Sequence, residues 1–405
     1  MAETAAKVDA EEPAAGGAGG PAPRRMVRLS QLLDGSAAVP AAPKAVIVYG
    51  NSAEALAAMA HLTGKGVPIA SVRFVVPVGP VNNQLANALE AAGRIGVGLP
   101  KLEAMTLEET LAGRDFRCIF MSGDGESKSI TCDYMVCCDE PEMDPVICTC
   151  LNDSSIVYDG QIVVDAGFHT NDPRILAGGH FAKFSRKYGM EMHLGWYNQT
   201  EVGGLIAASL LGDLGLAAGD HPDALPELAQ PALCSVHLPD GKHYAYAGDP
   251  FYVAANKPLA TPEGGRLAVS IDAGQYVCLG IDEVDCVAFI VTCGDVLDVG
   301  LLARMVGLHI SYLGLGDHTG ATAMDKLAAG GSTNLAATLR ARWVDGMYHD
   351  KFQLMRQALL NQPQPLAKNA QAAMRNKVYD QVVSFVQRYV GELPRYHKGA
   401  PVFHA

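Results

Sequence analysis

Several features are missing from this 405-residue chain, and each absence removes a class of function. No apolar run approaches the roughly 18–20 residues needed to span a bilayer. There is no basic stripe: Arg24-Arg25 and the Arg340/Arg342 pair are the densest basic spots, and the formal net charge is −12, so an electrostatic nucleic-acid binder is not expected. The first residues are rich in Ala, Gly and Pro with acids at Glu3, Asp9, Glu11 and Glu12, unlike the basic-then-apolar plan of a signal peptide. There is no G-x-S-x-G elbow and no Walker A, and His309, His318, His349 and His404 show no HExxH-type pairing. No internal repeat is present. The expectation is a chain with no catalytic residues and no metal site, in the cytoplasm or a compartment continuous with it.

What is present is ample core. Hydrophobic residues make up 49% of the chain, which confines disorder to local stretches. Residues 1–43 read as a disordered low-complexity tail, with a strand or helical turn in the amphipathic patch Met26–Leu33. At Lys44 the pattern changes. Ala45–Tyr49 reads as a buried parallel strand, Ala53–Thr63 as a helix stopped by Gly64 and Gly66, and Val72–Val76 as the next strand, which together make one βαβ unit. Asn83–Ala92 reads as a second helix. Phe116–Met121 and Ser129–Cys132 form a hairpin around Gly123-Asp124-Gly125, and Asp133–Cys138 follows as a strand. Glu201–Leu211 reads as a helix, residues 233–295 alternate as strands, and the pattern from Val299 onward is helical. The clearest amphipathic segments there are Tyr348–Leu360 and Val378–Val390, with apolar stripes Phe352/Met355/Leu359 and Val382/Phe385/Val386/Tyr389. These stripes suit either a partner surface or packing on the chain's own core.

Two stretches carry the functional signal. The first is the turn Gly50-x-Ser52-x-x-Ala55, where a dinucleotide-binding fold has G-x-G-x-x-G/A. Ala55 is tolerated at the third position, but Ser52 puts a side chain where the pyrophosphate lies. The ribose-binding acid expected at the end of the second strand is replaced by Pro77–Pro80. The second is 163–180, VVDAGFHTNDPRILAGGH, which reads as a strand, a turn, a second strand and the glycine pair Gly178-Gly179. Cysteines 132, 137, 138, 148 and 150 are the competing chemistry. Their spacing fits neither zinc pairs nor a redox dithiol, and adjacent strand residues Cys137 and Cys138 point to opposite faces, so they read as small buried hydrophobes. His169 and His180 flank the motif without a partner at fixed spacing.

In this order, these pieces resemble the pyridine-nucleotide-disulfide oxidoreductases over about residues 44–215, from the NAD domain into the returning part of the FAD domain. In that family the glycine pair is followed by an Asp that accepts a hydrogen bond from the flavin's sugar-alcohol chain; here that position is His180. The resemblance implies a degenerate α/β Rossmann-like FAD/NAD(P)-binding domain over 44–220. A β-rich segment over 221–298 and a helical, dimerisation-like region over 299–405 then follow. It implies that Gly50, Ser52, Ala55, Gly179 and His180 are vestigial cofactor positions and that neither FAD nor NAD(P) is bound.

Within that superfamily the chain also resembles the C-terminal region of the cilia- and flagella-associated protein 61 family. The matching segments are 168–179 (FHTNDPRILAGG), 183–188 (KFSRKY), 201–204 (EVGG), 238–244 (LPDGKHY), 257–262 (KPLATP) and 347–352 (MYHDKF). That resemblance implies a longer protein, a non-enzymatic scaffold in the axoneme of motile cilia. Its partners would be radial spoke proteins and the calmodulin- and spoke-associated complex at the spoke base, with homo- or hetero-dimerisation through the C-terminal region. The alternatives left open are an FAD/NAD(P)H-dependent oxidoreductase with an altered turn, and a thiol or zinc module on Cys137, Cys138, Cys148 and Cys150.

Overall fold

The computed structural model describes residues 26–36, 39, 43–111, 116–138, 145–188, 194–216, 224–226, 228, 230–248, 261–262, 264–297 and 299–310, with single positions 335, 357, 380, 381, 384 and 388. Two compact units divide the chain: Met1–Glu142, Ser235–Tyr244 and Cys293–Val296 in the first, and Met143–Cys234, Ala245–Thr292 and Leu297–Ala405 in the second. The break near 142 falls inside the span 44–220 that the resemblance implies as one domain. The apolar stripes beyond residue 348 lie outside the described residues.

The first unit is built on a seven-stranded sheet of order β1-β7-β2-β3-β4-β5-β6. Its parallel centre comprises β2 (Val46–Tyr49), β3 (Val72–Val76) and β7 (Tyr134–Cys137), with every residue of β2 buried. Burial on both faces explains why β2 reads as a continuous apolar run. Helices α2 (Glu54–Gly64) and α3 (Asn83–Arg94) make the crossovers, α3 capped by Asn82, whose Oδ1 accepts from Gln84 N at 2.9 Å. Asp133 fixes the register at the base of the sheet, its carboxylate accepting from the amides of Lys44 and Ala45 at 2.7 and 3.1 Å.

Three strands extend the sheet beyond β3. They are β4 (Leu102–Leu111), which pairs parallel to β3, and the antiparallel β5 (Arg117–Ser122) and β6 (Ser127–Thr131). One face carries a core of Ile47, Tyr49, Val75, Met105, Cys118, Phe120 and Met135, with the Tyr49 and Phe120 rings 6.0 Å apart. The patch at Met26–Leu33 forms both a strand and a turn of helix: β1 (Met26–Arg28) lies parallel to β7 and α1 (Leu29–Leu33) follows it. Strand pairing has therefore drawn this part of the expected tail into the sheet.

In the second unit α4 (Pro145–Asp153) leads to β8 (Ile162–Val164), which pairs parallel to β9 (Ala182–Phe184). Helix α5 (Gln199–Asp213) follows, and Val202 joins Val164, Phe168, Ala182, Phe184 and Leu194 in one core. Downstream, β10 (Ala232–His237), β11 (His243–Gly248), β12 (Arg266–Asp272), β13 (Gln275–Ile281) and β14 (Val287–Gly294) form a five-stranded sheet of order β10-β11-β14-β13-β12, whose residues Ser235–Tyr244 and Cys293–Val296 are counted with the first unit. β12 and β13 are a hairpin, and α6 (Val299–Met305) buries Leu301, Leu302 and Met305 with Val277, Leu279 and Ile290. Among the described residues no helix is long and apolar enough to cross a membrane.

Candidate functional site

Strand order singles out one place in the first unit. The chain runs from β2 outward through β3 to β4 and later returns to place β7 on the other side of β2. The crevice at the carboxyl ends of β2 and β7 is the point where doubly wound sheets bind ligands. The turn after β2 lies there and brings together Gly50, Ser52 and Ala55. Gly50 N donates to Val75 O at 3.1 Å, which ties the turn to β3, and Ala55 is fully buried beneath the start of α2.

The crevice is bridged by the chain's own groups. Ser52 Oγ donates to the Cys138 carbonyl at 3.2 Å, spanning the end of β2 to the end of β7, and Cys138 N donates to Tyr49 O at 2.6 Å. On the β3 side Asn51 Nδ2 donates to Pro80 O at 2.9 Å, while Asn51 Oδ1 accepts from Asn82 N at 2.8 Å. Helix α2 has no side-chain cap, and its first turn carries Glu54. A carboxylate there takes up the positive end of the helix dipole that would otherwise attract a phosphate. Asn51, Glu54 and the Cys138 carbonyl were not singled out from the sequence. Only the fold brings Cys138 to Ser52.

The 163–180 segment lies in the second unit. Its expected second strand is reduced to a single bridge, His169 to Leu176, and the strand partner of β8 is β9. The segment is held by polar groups instead. Asp165 Oδ1 accepts from the amides of Gly167 and His169, each at 2.9 Å, and Ser209 Oγ donates to Gly167 O at 2.8 Å. His169 is buried, its Nε2 2.8 Å from Asp213 Oδ2 and its Nδ1 3.5 Å from Asp165 Oδ1. At the turn tip the Arg174 guanidinium holds the Asp172 carboxyl at about 2.

Gly178 serves close packing, since a Cβ there would collide with Ile206 Cδ1 of α5. Gly179 has φ +80 and starts the short turn that carries His180. The His180 side chain is exposed and lies against Gly195, and its carbonyl accepts from Gln161 Nε2 at 2.6 Å. The start of α5 is capped by Asn198 Oδ1, which accepts from Thr200 N and Glu201 N at 3.0 and 3.3 Å; Glu201 Oε2 accepts from Gln230 N at 3.0 Å.

The cysteines do not gather as one group. Cys132, Cys137 and Cys138 belong to the first unit, whereas Cys148 and Cys150 lie on α4 of the second. Among the described residues no three of His, Cys, Asp and Glu stand close enough to hold a metal. Among the buried polar groups that the sequence did not single out are Lys183 and His243. Lys183 of β9 is buried, with Nζ 3.4 Å from Asp159 Oδ2. His243 of β11 is buried with Nε2 2.8 Å from Ser235 Oγ, and burial together with the neighbouring His237 pushes its imidazole below the ordinary value.

No protein-family model matches the chain. A curated relative, cilia- and flagella-associated protein 61 of Tetrahymena thermophila, is 26% identical over 243 residues, covering 55% of this chain and 14% of that protein. The chain thus spans about one seventh of the length of that relative. Among solved structures, an FAD-dependent pyridine nucleotide-disulphide oxidoreductase from Desulfovibrio vulgaris is similar over 78% of each chain at 14% identity, with a TM-score of 0.46. A NAD-dependent persulfide reductase from A. fulgidus is similar over 80% of this chain and 61% of its own, at 13% identity and a TM-score of 0.45.

Proposed function

We propose that the chain is a non-enzymatic structural component of the motile-cilium axoneme, acting within the calmodulin- and spoke-associated complex at the radial spoke base. A core and a ligand site use different residues, so a sheet can persist after its site is abandoned. The observation that carries the non-enzymatic part is the Ser52–Cys138 hydrogen bond across the switch-point crevice.

A dinucleotide fits these residues poorly. Its pyrophosphate would meet the Ser52 side chain and the Glu54 carboxylate, and its ribose would find Pro77–Pro80 where an acid is needed. In the second unit His180 supplies no carboxylate to a flavin's sugar-alcohol chain. No reaction step is therefore assigned to FAD or NAD(P). The ciliary part of the proposal is supported by the similarity to the Tetrahymena protein. Partners would be other proteins of the spoke base, with homo- or hetero-dimerisation through the C-terminal region.

The rival is an FAD/NAD(P)H-dependent oxidoreductase with an altered turn. In its favour is the retained strand, turn and helix around Gly50. Purified full-length chain separates the two readings. The scaffold reading expects a colourless protein whose melting temperature is unmoved by FAD, NADH or NADPH, and which retains radial spoke proteins from solubilised axonemes. Bound flavin, or a shift of several degrees with any of the three nucleotides, overturns the non-enzymatic reading. Failure to retain spoke proteins overturns the axonemal one.

A further inference from the structure

β12 (Arg266–Asp272) closes one edge of the five-stranded sheet, and among the described residues no strand pairs along its outer side. An open edge is a template for pairing, and folded chains blunt it with a short strand, Lys, Pro or a bulge. The seven-stranded sheet does so: β1 is three residues long, and β6 is exposed except at Ile130 and carries Lys128. β12 has none of these devices. It is seven residues long, lacks Lys and Pro, and keeps an unbroken register against β13 from Arg266↔Ile281 to Asp272↔Gln275.

The hairpin turn decides which groups face outward. Ala273 and Gly274 have φ +47 and +73, as the two central residues of a hairpin turn closed by Asp272 and Gln275. The closing pair of such a turn exchanges hydrogen bonds, and bonded pairs alternate along an antiparallel ladder. Arg266, Ala268, Ser270 and Asp272 therefore aim their backbone groups at β13, whereas Leu267, Val269 and Ile271 aim theirs at the open edge. The side chains sort the same way. Ala268 and Ser270 are buried, Ala268 within the core, while Leu267 is half-buried and Val269 and Ile271 are 39% and 51% exposed.

We infer that β12 pairs antiparallel with β12 of a second copy of this chain, about a two-fold axis at Val269, so that two sheets become one. This deepens the homo-dimerisation proposed above, on which it rests, and places its surface in the β-rich segment. In this register Val269 meets Val269, Leu267 meets Ile271, and Arg266 meets Asp272 of the second copy. Leu267, Val269 and Ile271 of each strand then exchange about six backbone hydrogen bonds in all, and their side chains make one apolar stripe. The charges choose the register. Arg266 and Asp272 are both exposed, and they carry opposite signs at equal distances from Val269. A slip of two residues sets them against uncharged partners, a slip of one sets outward-aimed residues against those aimed at β13, and parallel pairing sets like charges side by side. Arg266 Nη2 holds Asp285 of its own chain, which leaves other donors of its fork for Asp272 of the second copy.

The test is sedimentation of the full-length chain from about 1 to 100 μM. The native chain should show a reversible monomer–dimer equilibrium with no larger species. Val269→Lys and Val269→Glu, at an exposed position and so expected to fold, should each weaken dimerisation about tenfold or more by setting like charges opposite one another. Mixed in equal amounts, the two chains should dimerise again. Arg266→Asp and Asp272→Arg should behave likewise, because each alone sets like charges at both ends and the mixture pairs them only in the antiparallel register. If Arg266→Asp fails to fold, the Val269 pair decides. A dimer unaffected by Val269→Lys overturns this interface and leaves C-terminal dimerisation standing. A native chain that stays monomeric overturns both, and retention of spoke proteins remains a separate result. Growth beyond the dimer overturns the closed two-fold pairing, and mixtures that do not recover overturn the register.

Discussion

Ser52 and Cys138 stand 86 residues apart in the chain and are joined by one hydrogen bond of 3.2 Å, hydroxyl to carbonyl. Ser52→Gly restores the glycine of a dinucleotide turn and removes that bond. A single bond of this kind contributes about 0.5–1.5 kcal/mol, and the unfolding free energy should fall by that order. Nucleotide binding should not appear, because Glu54 and Pro77–Pro80 are unchanged. Urea unfolding measures the first expectation, and melting with and without NADH measures the second. A nucleotide-dependent rise in the Ser52→Gly chain alone would show that one side chain blocks an otherwise competent site.

Asn51 makes the matching clamp on the β3 side through both ends of its amide. Asn51→Ala removes two partly exposed hydrogen bonds, with an expected loss of about 1–2 kcal/mol. The effect should be local. Hydrogen exchange at the Asn82 amide should accelerate markedly, while amides of β2 and β3 keep their protection. Uniform loss of protection across the sheet would instead place Asn51 among the groups that hold the whole unit together.

The sequence made the parallel centre legible because β2 is buried on both faces and apolar throughout, and β3 is apolar and buried except at Arg73. It did not reveal β4. Leu102–Leu111 is mostly solvent-facing and rich in Leu and Glu, which favour helix, and its register shifts between Leu107 and Glu109. Pairing with β3 and β5 overrides that local preference. The degenerate turn was legible at Gly50, Ser52 and Ala55 because its spacing is local. What Ser52 does was not, since its acceptor is a backbone carbonyl that only the return of β7 brings near. The second strand expected within 163–180 failed for a related reason: Asp165, His169 and Ser209 hold that segment by side-chain hydrogen bonds, and a strand ladder is not needed.

His169 ties that motif to the end of α5 through Asp213. His169→Ala leaves the Asp213 carboxylate without this donor and opens space in a buried region. An expected cost of about 2–3 kcal/mol lies below that of a fully buried pair, because Asp213 remains partly exposed. His169→Gln keeps an N–H donor and should cost about 1 kcal/mol. Denaturant midpoints at unchanged slope would check the order. Equal losses for the two variants would assign the effect to ring packing and not to the hydrogen bond.

Acid sensitivity should trace to His243. Burial, and next the charge of His237, hold its imidazole below the ordinary value near 6.5. In the unfolded chain that ring titrates at its ordinary value, so as pH falls below about 6.5 the unfolded state takes up the proton first. Stability rises with pH wherever the unfolded state binds more protons. The contribution is therefore fully present above pH 6.5 and is lost as pH falls through the folded value. Urea midpoints measured from pH 7.5 downward should decline in the native chain. The decline should be shallower in His243→Phe, which fills the buried site without a titrating group. Parallel slopes in the two chains would exclude His243 as the source and leave the carboxylates to account for the acid limb.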